Sequence, residues 1–556
     1  MTILFVLCSV CTALFTLTCV SFSGGVPLVG FLVTFLYSLV FYFVVFRFVH
    51  SPSRKKLTVV KKLLEYLVFV LFAALVARRA GISETGFLLD LASVSLWLVI
   101  TVTIAILLFR LSDKRVHRYY PSLEKPVSGK KPIIVHAFEW IDALIQAACL
   151  VLLINLFFFQ LYEIPSESMV PEFMVKDRVV VVKTVSGPKF PLTQVGIPRM
   201  RTYERGDIVV FSNPHYNDTR EARLRSFVSQ LVYMLSFTTV NINRDESGAV
   251  KADPLVKRVV GLPGEKLMMV DGVLYSKQEN DDEYLPVQEE ARWAAWDIAS
   301  LPRSQLSLVR NVPLSREAYD LLLSVESLRA ELNTDAALTE LIQIAKRFEN
   351  LKPVADSVGF DPDLVSQEER EILSLFQAND TISRVLLTTN GGAAWFRSFL
   401  TAWSQSESPK NLFETRSQNC NLLLKIAFGK LVVRNAELMT ANVTASEFVR
   451  DTQRRALLSE ADTYRFFMAV HDQRNMAEFP PDQSIPENAF LLMGDNRLNS
   501  LDMRHSYTVT LVPVDIQDPL SFLYHSNLDP QWVPSERIMG TALFRFWPPA
   551  RAGVPH

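Results

Sequence analysis

The first 160 residues alternate between long apolar runs and short polar loops. A helix needs roughly 20 consecutive apolar residues to cross a bilayer. Runs of that length, or close to it, lie at residues 3–22, 27–46, 63–77, 87–109 and 138–160. The pattern predicts a multi-span α-helical membrane anchor, with about four transmembrane helices in residues 1–137 and a further helix over 138–161 that leads into a soluble part.

Basic residues collect in two of the loops. The loop "RFVHSPSRKKLTVVKK" carries six Lys and Arg, and "RLSDKRVHRYYPSLEKPVSGKK" carries seven. The positive-inside rule places both loops in the cytoplasm, so everything after residue 161 is expected outside. A cleaved signal peptide at the first run is an alternative, and so is a transport path through the bundle, for which the ionisable candidates are Glu65, Asp90, Glu139 and Asp142.

The soluble part changes its pattern twice. Short β-branched runs such as "DRVVVVKTV" and "PLVKRVVGL" predict strands over 162–283, and Asp271-Gly272 predicts a hairpin turn. Residues 284–483 follow a helical period, with Ser315 as a candidate N-cap, and strand-like text returns over 484–556. The expected fold is therefore a mainly-β domain interrupted by a large α-helical insertion.

Composition adds limits to this picture. Of 556 residues, 49% are hydrophobic and 21% charged, with a net charge of −1, which fits a membrane part joined to soluble domains. Neither a basic face nor a nucleic-acid motif appears, so no nucleic-acid partner is expected. The five cysteines form no paired CxxC, and four of them lie in apolar runs. We therefore expect no cysteine metal site, no cofactor and no structural disulfide.

The segment "LYEIPSESMVPEF", residues 161–173, directly follows the last apolar run. A serine there, such as Ser168, could act as a nucleophile only if the chain also supplies a base. Lys257 lies among apolar neighbours, and burial would lower the pKa of its amine enough to serve. The alternative base is His505, which with Asp502 offers the parts of a Ser-His-Asp arrangement.

Four boxes then occur in order: "IPSESMVP", "RGDIVVF", "VKRVVGLPGE" and "GDNRLNSLDMR". Together they resemble the characteristic boxes of bacterial type I signal peptidases, the Ser-Lys leader peptidases. The resemblance implies a membrane-bound serine endopeptidase that removes signal peptides from exported preproteins, cutting after small residues. It covers about 45 residues in the boxes and, with the flanking β segments, about 170; the first four apolar runs and the helical insertion lie outside it.

By position, the resemblance makes Ser168 the nucleophile and Lys257 its general base. The Ser166 hydroxyl would join the Ser168 backbone N–H in the oxyanion hole, and Ser500 would orient the lysine amine. The other implied residues support the site or line the substrate groove: Asp502, Arg504 and Arg258 as ion pairs, and Met169 and Pro171 in the groove. Three positions depart from the usual pattern: Glu167 where glycine is common, Glu172 where threonine is common, and Leu498 where aspartate is frequent.

The implied partners are preprotein signal peptides, the lipid bilayer and, through the helical insertion, the protein translocation machinery. The implied location is the bacterial cytoplasmic membrane, with the catalytic domain on the extracytoplasmic side. A different class of function also fits the sequence: a non-catalytic assembly or sensor protein, in which the β domain is a scaffold and the insertion binds a partner.

Overall fold

The computed structural model describes residues 1–20, 25–81, 86–123, 132–214, 216, 219–236, 240, 242–244, 251, 253–351, 376–401, 409–471, 484–504 and 531–556. His505, the alternative base, lies outside these residues.

Most of each of the five predicted apolar runs is helical. The N-terminal helices are α1 Thr2–Thr18, α2 Val26–His50, α3 Arg54–Gly81, α4 Phe87–Arg110, the short α5 Val116–Tyr119 and α6 Ile133–Phe157. Three of them, α2, α4 and α6, are long and apolar enough to cross a membrane. Helix α1 has 17 residues, and α3 extends well beyond the predicted run into charged flanks. The predicted multi-span helical anchor is confirmed.

A sheet begins immediately after α6. Its strands are β1 Phe159–Glu163, β2 Arg178–Val182, β3 Ile208–Phe211, β4 Leu255–Gly261, β8 Ala489–Met493, β9 Val533–Pro534 and β10 Ile538–Trp547. Among the described residues these form a seven-stranded antiparallel sheet in the order β1-β2-β10-β3-β4-β8-β9. The early and late segments of the soluble part therefore build one sheet, with strands from 484–556 paired to strands from 162–283.

A smaller sheet lies beside it, formed by β5 Glu265–Val270, β6 Val273–Gln278 and β7 Leu285–Pro286. The predicted hairpin turn is confirmed, because Val270 pairs with Val273 and both turn residues have positive φ, +50° at Asp271 and +71° at Gly272. These are the backbone angles of a two-residue turn that matches strand twist.

The helical part is preceded by α7 Arg220–Leu235, which lies between β3 and β4 in the chain, and by the short α8 Arg303–Leu306. It consists of α9 Arg316–Glu331, α10 Thr334–Leu351, α11 Asn379–Thr388, α12 Gly392–Thr401, α13 Leu412–Thr440, α14 Ala445–Arg450 and α15 Thr452–His471. The predicted N-cap is confirmed, since the Ser315 hydroxyl accepts a hydrogen bond from the Ala318 N–H at 3.2 Å. The helices pack around a common apolar core, which also takes in Leu498 of the last sequence box.

Residues before α9 also tie this part to the sheet. Ala295 forms a parallel bridge with Asn496, and its N–H donates to the carbonyl of Asp495. Farther out, Arg329 and Arg416 both bind the carboxylate of Asp271 at the tip of the small hairpin. The helical unit is thus fastened to the side of the sheet that carries the last sequence box.

Candidate active site

Ser168 lies in the loop between β1 and β2, close to the membrane exit. Helix α6 ends at Phe157, eleven residues earlier by residue number. The loop closes on itself, because Ile164 donates to the carbonyl of Asp177 at 2.8 Å. Phe173 is fully buried in the sheet core and anchors the far side of the loop. These contacts therefore fix the loop that carries the nucleophile candidate.

Lys257 reaches Ser168 from β4. Its register partner on β3 is Val209, and both neighbouring strands are paired, so this part of β4 is central in the sheet. The lysine is 2% exposed, and its Nζ lies 2.6 Å from the Ser168 Oγ. Two residues far apart in sequence are thus brought to hydrogen-bond distance.

Burial changes the chemistry of this amine. Removal from water lowers the pKa of Lys257 from 10.5 to about 8, because a charged ammonium is poorly solvated there. The carboxylate of Asp502 acts in the opposite direction and keeps the pKa from falling further. A substantial fraction of the amine is therefore neutral near pH 8 and can accept a proton.

The two other serines of the predicted site are also near. The Ser166 hydroxyl is exposed and lies 3.4 Å from the Ser168 Oγ, which is long for a hydrogen bond. Ser500 is buried, with 1% of its surface exposed. Gly494 lies between Ser500 and Ser168, since a Cβ at this glycine would lie 2.1 Å from the Ser500 Oγ and 2.4 Å from the Ser168 carbonyl oxygen. Only a residue without a side chain allows this approach.

The predicted supporting charges form two separate pairs. Asp502 and Arg504 bind each other through two contacts of 2.8 and 2.9 Å, and Asp502 also accepts from the Gly494 N–H. Arg258 instead makes a bidentate pair with Asp495, at 2.8 and 2.6 Å. All four side chains are buried. Paired in this way, they fix the backbone around Gly494 without leaving an uncompensated charge.

Asn496 connects the last box to the serine loop. Its backbone N–H donates to the Ser168 carbonyl at 3.1 Å, and its side-chain amide donates to the Glu167 carbonyl at the same distance. Asn496 is completely buried. The "GDN" turn therefore fixes the backbone at the nucleophile candidate through these two hydrogen bonds.

The predicted groove residues lie elsewhere. Met169 is 1% exposed and packs in the sheet core with Ile164 and Phe173, so its side chain belongs to that core. Pro171 lines a separate cavity of about 300 Å³ beside Arg258 and Asp495. The structure brings neither side chain to the cavity at Ser168.

That cavity has a volume of about 490 Å³. Ser166, Ser168 and Lys257 lie on its wall together with apolar side chains such as Leu255 and Leu501. Its size is in the range of sites that hold small molecules or peptide side chains. A carbonyl group placed in it could meet the serine oxygen, the amine and the Ser166 hydroxyl at once.

Comparison with known proteins shows the family of the chain. The family model "Signal peptidase, peptidase S26" matches residues 137–314 and 429–547. The chain belongs to this family. The matched residues include the last apolar helix, the serine loop, β4 and the last box, while helices α1 to α5 and much of the helical part lie outside.

Curated relatives agree with the family match. The chain is 30% identical over 130 residues to signal peptidase I of Buchnera aphidicola subsp. Schizaphis graminum, covering 23% of this chain and 30% of that protein. Over 147 residues it is 27% identical to signal peptidase I of Haemophilus influenzae, covering 26% and 40%. Over 142 residues it is 30% identical to signal peptidase I of Bacillus licheniformis, covering 25% and 49%. The chain thus spans less than half the length of each.

Four residues of the candidate site have no place among the catalytic and supporting residues named in the sequence analysis: Glu167, Gly494, Asp495 and Asn496. Gly494, Asp495 and Asn496 open the last quoted box, where the sequence alone fits an ordinary turn pair at Asp495-Asn496 as well as a role in holding that box. Glu167 was noted only as a departure from glycine. Its carboxylate accepts hydrogen bonds from the backbone N–H groups of residues 310 and 311. No local sequence pattern predicts this contact.

Proposed function

We propose that this chain removes N-terminal signal peptides from exported preproteins, cutting after small residues with a Ser168-Lys257 dyad. The observation that carries the proposal is the 2.6 Å contact between the buried Lys257 amine and the Ser168 hydroxyl in a chain of the signal peptidase family.

The reaction would proceed in two stages. The Ser168 Oγ attacks the carbonyl carbon before the cleaved bond while the neutral Lys257 amine takes the hydroxyl proton. The resulting oxyanion accepts hydrogen bonds from the Ser166 hydroxyl and the Ser168 backbone N–H. The C–N bond breaks, and the Lys257 ammonium returns its proton to the leaving amine of the mature protein.

Deacylation repeats the same proton transfers with water. Lys257 removes a proton from a water molecule that attacks the acyl carbon, and the Ser168 oxygen leaves with the proton from the lysine. Ser500 and the ion pairs Asp502–Arg504 and Arg258–Asp495 act as supports that keep the amine and the serine loop aligned.

Location follows from the short path between the last membrane helix and the serine. A signal peptide is itself an apolar helix, so its cleavage site emerges at the membrane surface, where Ser168 lies within about a dozen residues of a membrane exit. We place the catalytic domain on the extracytoplasmic side of a bacterial cytoplasmic membrane, with the substrate bound as an extended strand. The helical insertion at 284–483 is the surface assigned to the translocation machinery.

The test uses the full chain in detergent with a purified preprotein. The expected products are a mature protein whose new N-terminus, read by mass spectrometry, follows a small residue, and the free signal peptide. Ser168→Ala should abolish both products, and Ser307→Ala, at an exposed serine beyond α8, is the matched control and should retain them. Cleavage that survives Ser168→Ala, or no cleavage of any preprotein by the unmodified chain, would contradict the proposal.

A further inference from the structure

The cavity beside Ser168 is completed by a segment that joins the small sheet to the helical part. We propose that Arg310 in this segment selects substrates with a carboxylate side chain close to the cleaved bond, and that Glu167 holds the segment in place. The inference rests on the proposed function, because it concerns the substrate of the same site.

Glu167 forms the first anchor. Its carboxylate is 9% exposed and accepts hydrogen bonds from the backbone N–H groups of Arg310 and of Asn311, the second at 3.1 Å. The side-chain amide of Asn499 donates to the same carboxylate at 3.4 Å. Hydrogen bonds to an ionised acceptor are stronger than those between neutral groups. The residue next to the nucleophile candidate therefore fixes the backbone on which Arg310 stands.

Apolar packing forms a second anchor one residue earlier. Val309 packs against a small core that contains Val170 and Met174 of the serine loop and Ile298. The segment is thus tied to the serine loop on both sides of residue 168, by Glu167 and by Val170. Its position relative to Ser168 is set by these contacts to the serine loop.

Arg310 supplies the charge that a substrate would meet. Of the described residues that line the cavity, three carry ionisable side chains: Glu167, Lys257 and Arg310. Glu167 and Lys257 are buried and engaged with protein atoms, whereas Arg310 is exposed. An exposed guanidinium on the wall of this cleft favours a carboxylate, which it can bind through two parallel hydrogen bonds.

Matched peptides test the selectivity. Signal-peptide substrates would carry glutamate or glutamine in turn at each position flanking the cleaved bond, and kcat/KM would be measured with the full chain in detergent. We expect one position at which glutamate is preferred, roughly three- to tenfold. Arg310→Gln should bring the glutamate-to-glutamine ratio to about one, and Arg310→Glu should bring it below one. Arg303→Gln removes an exposed arginine on α8 and should keep the ratio of the unmodified chain.

Glu167 is a positioning residue and has its own test. Glu167→Ala should lower the glutamate-to-glutamine ratio towards one, since the segment that bears Arg310 loses its anchor, and Glu167→Asp should restore part of it. A purely structural role in folding would lower the rate on both peptides alike and leave the ratio unchanged. The ratio, rather than the rate, therefore decides the role of Glu167.

The outcomes separate this inference from the proposed function. If the unmodified chain cuts the peptides equally well at every position, the selectivity is wrong and the signal peptidase function stands. If it cuts none of them and no preprotein either, the proposed function fails first. A preference that persists in Arg310→Gln would also overturn the assignment of Arg310.

Discussion

The Nζ of Lys257 and the Oγ of Ser168 lie 2.6 Å apart, although 89 residues separate them in the chain. The serine stands in a loop anchored beside the membrane exit, and the lysine stands on a central strand with its amine buried. The contact joins a nucleophile candidate to a base whose pKa burial has lowered to about 8.

The pH dependence of cleavage should report the lysine. Only the neutral amine accepts the serine proton, and its fraction grows as the pH rises towards about 8. We expect log kcat/KM to rise with a slope near one below pH 8 and to level off above it. A histidine base would instead give an inflection near about 6.5. Steady-state rates between pH 6 and 10 on one peptide distinguish the two.

The buried amine should also affect stability. Its pKa is lower in the folded chain than the 10.5 of an exposed lysine, so the unfolded state binds more protons between about pH 8 and 10.5. Burial therefore costs stability below pH 8, and the cost disappears as the pH rises through this window. Lys257→Met should raise the Tm at pH 7 by about 2 °C, with a smaller gain at pH 10. A Tm that falls at pH 7 and stays unchanged at pH 10 would contradict this account.

Gly494 should be intolerant of any side chain. A methyl group there would lie 2.1 Å from the Ser500 hydroxyl and 2.4 Å from the Ser168 carbonyl, so the serine loop must move. A displacement of about 1 Å at a reacting group can cost on the order of 100-fold in rate. Gly494→Ala should lower kcat by about that factor, whereas Gly553→Ala, where no atom lies within 4 Å of the added carbon, should not. Equal rates for both variants would contradict the claim that the close approach at Gly494 positions the serine loop.

The pair Arg258–Asp495 should be a major stabiliser of the site. Both side chains are 1% exposed, and Asp495→Asn would leave the guanidinium charge buried without compensation. We expect a loss of about 3 kcal/mol in the free energy of unfolding, measured by denaturant titration in detergent. Asp462→Asn breaks an exposed pair with Arg465 and should change it by less than about 1 kcal/mol. Similar losses of unfolding free energy in the two variants would contradict the claim that burial makes the Arg258–Asp495 pair a major stabiliser.

Most residues of the candidate site could be named from the sequence because they stand in short sequence boxes. Ser168, Lys257 and Ser500 each stand in a motif that could be recognised, and the strand pattern around Lys257 indicated burial. The fold class followed from the same periodicities, since apolar runs, alternating residues and a helical period each occupy separate stretches of the chain.

Contacts between distant segments could not be predicted in this way. The partner of Arg258 is Asp495, 237 residues later, whereas the only carboxylate among the supporting charges named from the sequence is Asp502, which pairs with Arg504. Glu167 meets the backbone at 310 and 311, which depends on the path of the chain through the small sheet. An apolar side chain such as that of Met169 suits both a substrate groove and a protein core. Its packing against Ile164 and Phe173 places it in the core.

The most direct test of the dyad compares two variants on one preprotein. Lys257→Ala and His505→Ala are assayed beside the unmodified chain in detergent, at pH 8 and at equal protein concentration. The account predicts that Lys257→Ala abolishes cleavage and that His505→Ala retains it. Cleavage that persists in Lys257→Ala and disappears in His505→Ala would contradict the Ser168-Lys257 dyad.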